Sequence, residues 1–147
     1  MTAQRVRTTS VPAYRATARV PSSDTLPIAK VESWNPAAEA DRDAAACDRA
    51  DAGQRQITEC WARVQRERTI EAMTAYAWAL RQTRGRAIHR QLPRALGAWE
   101  RYGLESCRML GAAWEGGSRQ PATIAACHAD RAREWTSQMY GVILMTR

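Results

Sequence analysis

The chain has 147 residues, enough for one domain with a buried core and a tail, and 45% of them are hydrophobic. Its formal charge is +7, carried by 21 Arg and Lys30 alone, while Phe is absent and six Trp and four Tyr supply the large apolar surfaces. No segment approaches the ~18 consecutive apolar residues that a membrane-spanning helix needs, so a transmembrane class is excluded.

Residues 1–46 read as a flexible or extended N-terminal arm. The first twenty residues hold four Arg, no acid, and no apolar run of the length of a secretory signal. Pro12, Pro21, Pro27 and Pro36 follow at short intervals and prevent any long helix. Leu26 to Trp34 alternates weakly and is expected to lie against the rest as an extended strand.

Helical periodicity begins after Asp51-Ala52-Gly53. Ile57, Cys60, Trp61, Val64, Ala72, Tyr76, Ala79 and Leu80 recur at spacings of three and four, with Arg68 where an apolar residue is due. The run to Arg84 predicts a helix ~45 Å long, stopped at Gly85. A second helix is expected from about Leu92 to Trp114, with Pro93 in its first turn and residues 86–91 as a kinked backward extension. Its apolar stripe is Leu92, Ala95, Leu96, Trp99, Tyr102, Cys107, Leu110 and Trp114. The third helix is capped by Ser118, carries Pro121 in its first turn, and has Ile124, Cys127, Trp135, Met139, Val142 and Ile143 as its stripe. The fold class is therefore all-α: an antiparallel three-helix bundle behind an irregular N-terminal arm.

Catalytic and metal chemistry find little to work with. His128 and Asp130 lie two apart and point to different helix faces, so His128 is expected on the solvent side beside Cys127. Glu100 and Glu105 flank an apolar stripe and read as solvated. Gly116-Gly117-Ser118 lacks the Lys of a phosphate loop and reads as a helix connector. The four cysteines contain no CxxC pair, and only His89 and His128 could join them in a zinc site. The expectation is a non-enzyme with no metal or cofactor. Binding is the class left. Arg81, Arg84, Arg86, Arg90 and Arg94 cluster around the first inter-helix turn, and no acid occurs between Glu71 and Glu100. That end is a candidate contact for an anionic partner, although no nucleic-acid reading motif accompanies it and nucleic acid is disfavoured. Trp61, Trp99 and Trp135 read as core; Trp34 and Trp78 have no place on a stripe and are candidates for surface contact.

Cys47 with Ala50 and Asp51, Cys60, Tyr76, Trp99 with Tyr102 and Cys107, Gly116-Gly117-Ser118 and Cys127 follow one another in a set order. That order, over about two thirds of the chain, resembles the small cysteine-rich helical domain of the LprI-type lysozyme inhibitors. The resemblance implies a domain over 47–147 that is periplasmic or secreted and binds a lysozyme-like cell-wall hydrolase. The chain departs from the family's polar pattern at Thr69, where an Asp is common, and at Ala72-Met73, in place of Leu-Asn. Leu96 replaces a Gln, Gly103-Leu104 replaces Arg-Asp, and Trp135 falls at an Arg. Two further readings stand beside this one. The chain is a structural or interaction module of an envelope assembly, or a cytosolic nucleic-acid-binding protein with free thiols.

An even set of four cysteines fits two disulfides in an oxidising compartment. Cys107 lies ten residues before Gly117 and Cys127 ten after, level with one another on facing helices. This favours Cys107–Cys127 and leaves Cys47–Cys60; the alternative pairs Cys47 with Cys127 and Cys60 with Cys107.

Overall fold

The computed structural model describes residues 27–146. The described residues form five helices and no strand: α1 (Ile28–Ser33), α2 (Pro36–Cys47), α3 (Gln54–Gln82), α4 (Arg86–Ala112) and α5 (Gln120–Met145). Residues 1–26 of the expected arm lie outside the described residues. The rest of that arm is helical, which corrects the extended strand expected over 26–34. Pro27 and Pro36 interrupt it into helices of only six and twelve residues, and they do so by starting each one. Pro27 precedes α1 and Pro36 opens α2, where a missing N–H removes no helical bond. Asn35 completes the second start, its Oδ1 accepting from the N–H groups of Ala37 and Ala38 at 3.0 and 3.2 Å.

α3 opens at Gly53, whose N–H donates to the Gln56 side chain at 3.1 Å. It ends at Thr83, where the Thr83 amide and hydroxyl both donate to the Ala79 carbonyl. Gly85 adopts φ 143° and starts α4 rather than ending α3. The backward extension considered for residues 86–91 is realised, so Pro93 lies inside α4 and not in its first turn. The α4–α5 connector turns through Gly116 at φ 72°, with the Gly117 N–H donating to the Trp114 carbonyl at 2.8 Å. Arg119, not Ser118, holds the cap position of α5.

α5 is the helix on which the others meet. α3 packs along its whole length, α4 packs on another side, and α1 and α2 also reach it, whereas the backbones of α3 and α4 scarcely touch. The three long helices therefore share α5 more than they share a three-way core. One apolar cluster joins Val31, Ala72, Met73, Ala75, Trp78, Leu92, Leu96, Trp135, Met139, Tyr140 and Ile143. A second, toward the other end, joins Cys47, Trp61, Val64, Ala122, Ala125 and Ala129. α3 and α5 accordingly run in the same direction, with α4 opposed to both.

Two disulfides hold this frame, and among the described residues every cysteine is in one. Cys47–Cys60 ties the end of α2 to the second turn of α3, with Cα atoms 5.4 Å apart. Cys107–Cys127 joins α4 to α5 with Cα atoms 5.5 Å apart, nearer than helix axes usually approach, ~8–10 Å. Small residues permit that approach. Gly103, Cys107 and Gly111 recur every four residues along the buried edge of α4. A Cβ on Gly111 would lie 2.5 Å from Ile124 Cγ1. The true seam of α4 is Leu92, Leu96, Gly103, Cys107 and Gly111, which turns Tyr102, Leu110 and Trp114 outward. Leu92, Leu96 and Cys107 of the expected stripe are in this seam and Trp99 packs beside it, whereas Tyr102 and Leu110 give way to Gly103 and Gly111, because glycines carry the contact there.

Candidate functional site

Three groups of polar residues occupy distinct levels of the molecule. The middle level is a buried ion network centred on Asp43 of α2. Arg68 Nε and Nη2 donate to the two Asp43 oxygens at 2.8 and 2.9 Å, and Arg68 also reaches Glu39 at 2.8 Å and Glu71 at 3.3 Å. Arg133 of α5 donates to Asp43 at 2.5 Å and to Asp130, and its side chain is only 4% exposed. Burial by itself lowers the pKa of the Arg68 guanidinium, but the hydrogen bonds from Asp43 and Glu39 and the charges of Asp43 and Glu71 outweigh it and raise the pKa. Arg68 also lies 5.9 Å from the Trp34 ring centroid, and Trp34 meets Tyr140 edge-on at 5.6 Å. The break that Arg68 makes in the α3 stripe is thus where α2 is locked onto α3 and α5.

Beside this network, α4 and α5 leave a crevice of about 30 Å³, lined by Thr69, Trp99, Glu100, Gly103, Leu104, His128 and Arg131. Trp99 donates to the Arg131 carbonyl at 3.0 Å and stacks on Trp135 with ring centroids 5.2 Å apart. Glu100 Oε1 and Arg131 Nε are buried without a hydrogen-bond partner among the described residues, and the space suits one bridging water. Two expectations are corrected here. Glu100 is half-buried, not solvated, and His128 is half-buried in the crevice, not on the solvent side. Burial lowers the His128 pKa and favours the neutral ring. Tyr102 stands outside, 56% exposed, with the Arg131 guanidinium 5.3 Å from its ring centroid. Thr69, Gly103 and Leu104 converge on this crevice although Thr69 is far in sequence from the other two.

The two ends of the molecule differ. At one end the α3–α4 turn carries Arg81, Arg84, Arg86, Arg90 and Arg94, all exposed. His89 helps hold the turn, its Nε2 lying 2.6 Å from the Thr83 carbonyl. Trp78, grouped with these arginines as a candidate contact, is only 7% exposed and belongs to the core. Its place follows from three-residue spacing with Ala75, a pair the expected stripe passed over. Trp34 is half-buried against Tyr140 rather than presented to solvent. Tyr76 and Trp99 are partly buried against the same core, and Gly116, Gly117 and Ser118 form the exposed α4–α5 connector.

At the other end, between the two disulfides, runs an open groove of about 440 Å³. Ile57, Trp61, Leu110, Ala122 and Ala126 form its apolar surface, and Asp48, Asp130 and Arg119 supply charge. Trp61 Nε1 donates to Asp48 Oδ1 at 2.8 Å, which fixes the carboxylate over the groove. The sequence did not single out Asp48, and nothing local signals that it and Asp130 line the same groove.

Among the described residues no group of three or more His, Cys, Asp or Glu is placed to hold a metal ion, and no helix is long and apolar enough to cross a membrane. In comparisons with known protein families, curated proteins and solved structures, the chain matches none.

Proposed function

We propose that this chain is a non-enzymatic binding protein of an oxidising compartment, periplasmic or secreted, related in design to the LprI-type lysozyme inhibitors and acting on a lysozyme-like cell-wall hydrolase. The observation that carries this reading is the disulfide frame. Cys47–Cys60 and Cys107–Cys127 close on an all-helical domain, and paired cysteines persist where thiols are not kept reduced. A second support is spatial. Thr69, Gly103 and Leu104, where the resembled family carries polar groups, lie together in one crevice, as the parts of one former polar network would. The test is an inhibition assay with the oxidised chain against several muramidases. Inhibition of one or more at micromolar concentration or below is expected, and no binding to any of them removes the reading.

A second reading is favoured by the arginine end: an interaction module of an envelope assembly that holds an anionic partner through Arg84, Arg86, Arg90 and Arg94, which are exposed in a stretch without acids. It predicts a stoichiometric partner that co-purifies from the native source without any hydrolase and is lost when these four become Glu. The cytosolic nucleic-acid reading called for four free thiols, and the paired cysteines count against it.

A further inference from the structure

A chain of net charge +7 is repelled at long range by a basic hydrolase, so any contact with one has to be made where the local charge differs from the total. The charge is unevenly placed. Residues 72–99 hold five Arg and no acid, all at the α3–α4 end, whereas the end that holds the groove sets Asp48, Asp51, Glu59, Glu115 and Asp130 among its arginines. Among the described residues, a cationic partner meets unopposed like charge at the α3–α4 end and mixed charge at the groove, so the groove end repels it less.

We propose that the groove between the disulfides is the docking site for a cationic segment of a partner protein, with an Arg or Lys head group at Asp48 and Asp130 and its aliphatic stem, or an apolar neighbour, on Ile57, Trp61 and Leu110. This rests on the binding-protein reading above for the nature of the partner, and names its site. The groove matches that side-chain chemistry at both ends. Its volume, about 440 Å³, falls in the ~300–1,000 Å³ range of ligand-sized clefts. Its apolar wall continues into Leu110, which is 44% exposed, and long basic side chains bury their stems on such surfaces while keeping the head group polar.

Asp48 accepts the Trp61 N–H through Oδ1, and among the described residues its Oδ2 has no partner. That oxygen is free for a charge-assisted bond from a guanidinium or ammonium. Asp130 is half-exposed and already accepts from Arg133, so it contributes field more than a vacant oxygen. Arg119, the one cation lining the groove among the described residues, has its guanidinium 5.5 Å from the Trp114 ring centroid, drawn toward that ring.

The experiment uses the oxidised full chain and two synthetic peptides, acetyl-Leu-Arg-Leu-Arg-Leu-amide and its counterpart with Glu for Arg, with binding followed by calorimetry. The Arg peptide is expected to bind and the Glu peptide to bind at least tenfold more weakly. Asp48→Asn, which still accepts from Trp61, is expected to weaken Arg-peptide binding about tenfold, and Ala126→Trp, which fills the floor, to abolish it. Equal binding of both peptides, or Arg-peptide binding that neither substitution alters, overturns the proposal. Muramidase assays with the same variants separate it from the reading it rests on. Inhibition by wild type that Ala126→Trp and Asp48→Asn both retain overturns the groove and leaves the inhibitor reading. Arg-peptide binding with no muramidase bound keeps the groove and removes the hydrolase.

Discussion

Asp43→Ala tests the structural claim on which the rest depends, that α2 is held to the long helices by a buried charge network. Asp43 accepts two bonds from Arg68 and one from Arg133. Without it Arg68 keeps Glu39 and Glu71, so its loss is partly made up. Among the described residues Arg133 keeps only Asp130, which is itself 54% exposed, and is left as a nearly uncompensated buried cation. Breaking one side of a buried pair costs about 3–5 kcal/mol, and Arg133 accounts for most of it here. With about 120 described residues and an unfolding entropy of roughly 2.1 cal/mol/K per residue, each kcal/mol moves the melting temperature by about 4 °C. The expected drop is about 12–20 °C, followed by circular dichroism at 222 nm with the disulfides intact. The same substitution is repeated in an Arg133→Met background, where the stranded cation no longer exists. There the drop should shrink to less than half, a coupling of at least ~1.5 kcal/mol. A drop under about 4 °C, or one of equal size in both backgrounds, would refute the network as the anchor of α2.

The remaining predictions concern single contacts. Gly111→Ala improves helix propensity by ~1 kcal/mol, yet its Cβ would meet Ile124 at 2.5 Å, so a net loss of about 1–2 kcal/mol is expected. Adding Ile124→Ala should recover most of it, and a gain from Gly111→Ala alone would contradict the close α4–α5 approach. Tyr140 is buried, its hydroxyl has no partner among the described residues, and burial together with the charge of Glu71 pushes its pKa up to about 12. Below pH ~10 both states are protonated; above it the unfolded chain ionises first, so stability falls between pH ~10 and 12. Tyr140→Phe should remove that alkaline loss and leave stability at pH 7 unchanged or up to ~1 kcal/mol higher, and a loss above ~1 kcal/mol at pH 7 would show a hidden hydroxyl partner. Burial lowers the His128 pKa, so the unfolded chain takes up its proton first as pH falls through ~6.5. Stability is complete above that pH and declines below it; urea midpoints at pH 7.5 and 5.5 should separate in wild type and converge in His128→Gln.

The long helices were legible because their apolar and cysteine residues recur at helical spacing, and the disulfide pairing followed from the equal distances of Cys107 and Cys127 from Gly117. What escaped the sequence escaped for identifiable reasons. α1 and α2 are six and twelve residues long, too short for a stripe to emerge, and their prolines signal starts as readily as interruptions. Leu92, Leu96 and Cys107 of the α4 seam were legible, but Tyr102 and Leu110 were read where Gly103 and Gly111 make the contact, because glycine has no apolar side chain to count. Arg68 was visible as an anomaly, but its partners lie 25 and 29 residues away on α2, and only the fold brings them together. The groove is of the same kind: Asp48, Leu110 and Asp130 share no local pattern.

The dependence of every other helix on α5 also sets an order of events in synthesis. The helix that organises the core is the last of the five described, so α1 to α4 leave the ribosome before the surface they bury against exists. Cys47 and Cys60 are both available early and their short loop can close on its own, whereas Cys107 has to wait for Cys127. The apolar faces of α3 and α4 stay uncovered through that interval, and only the arrival of residues 120–145 converts a series of separate helices into a cooperative fold.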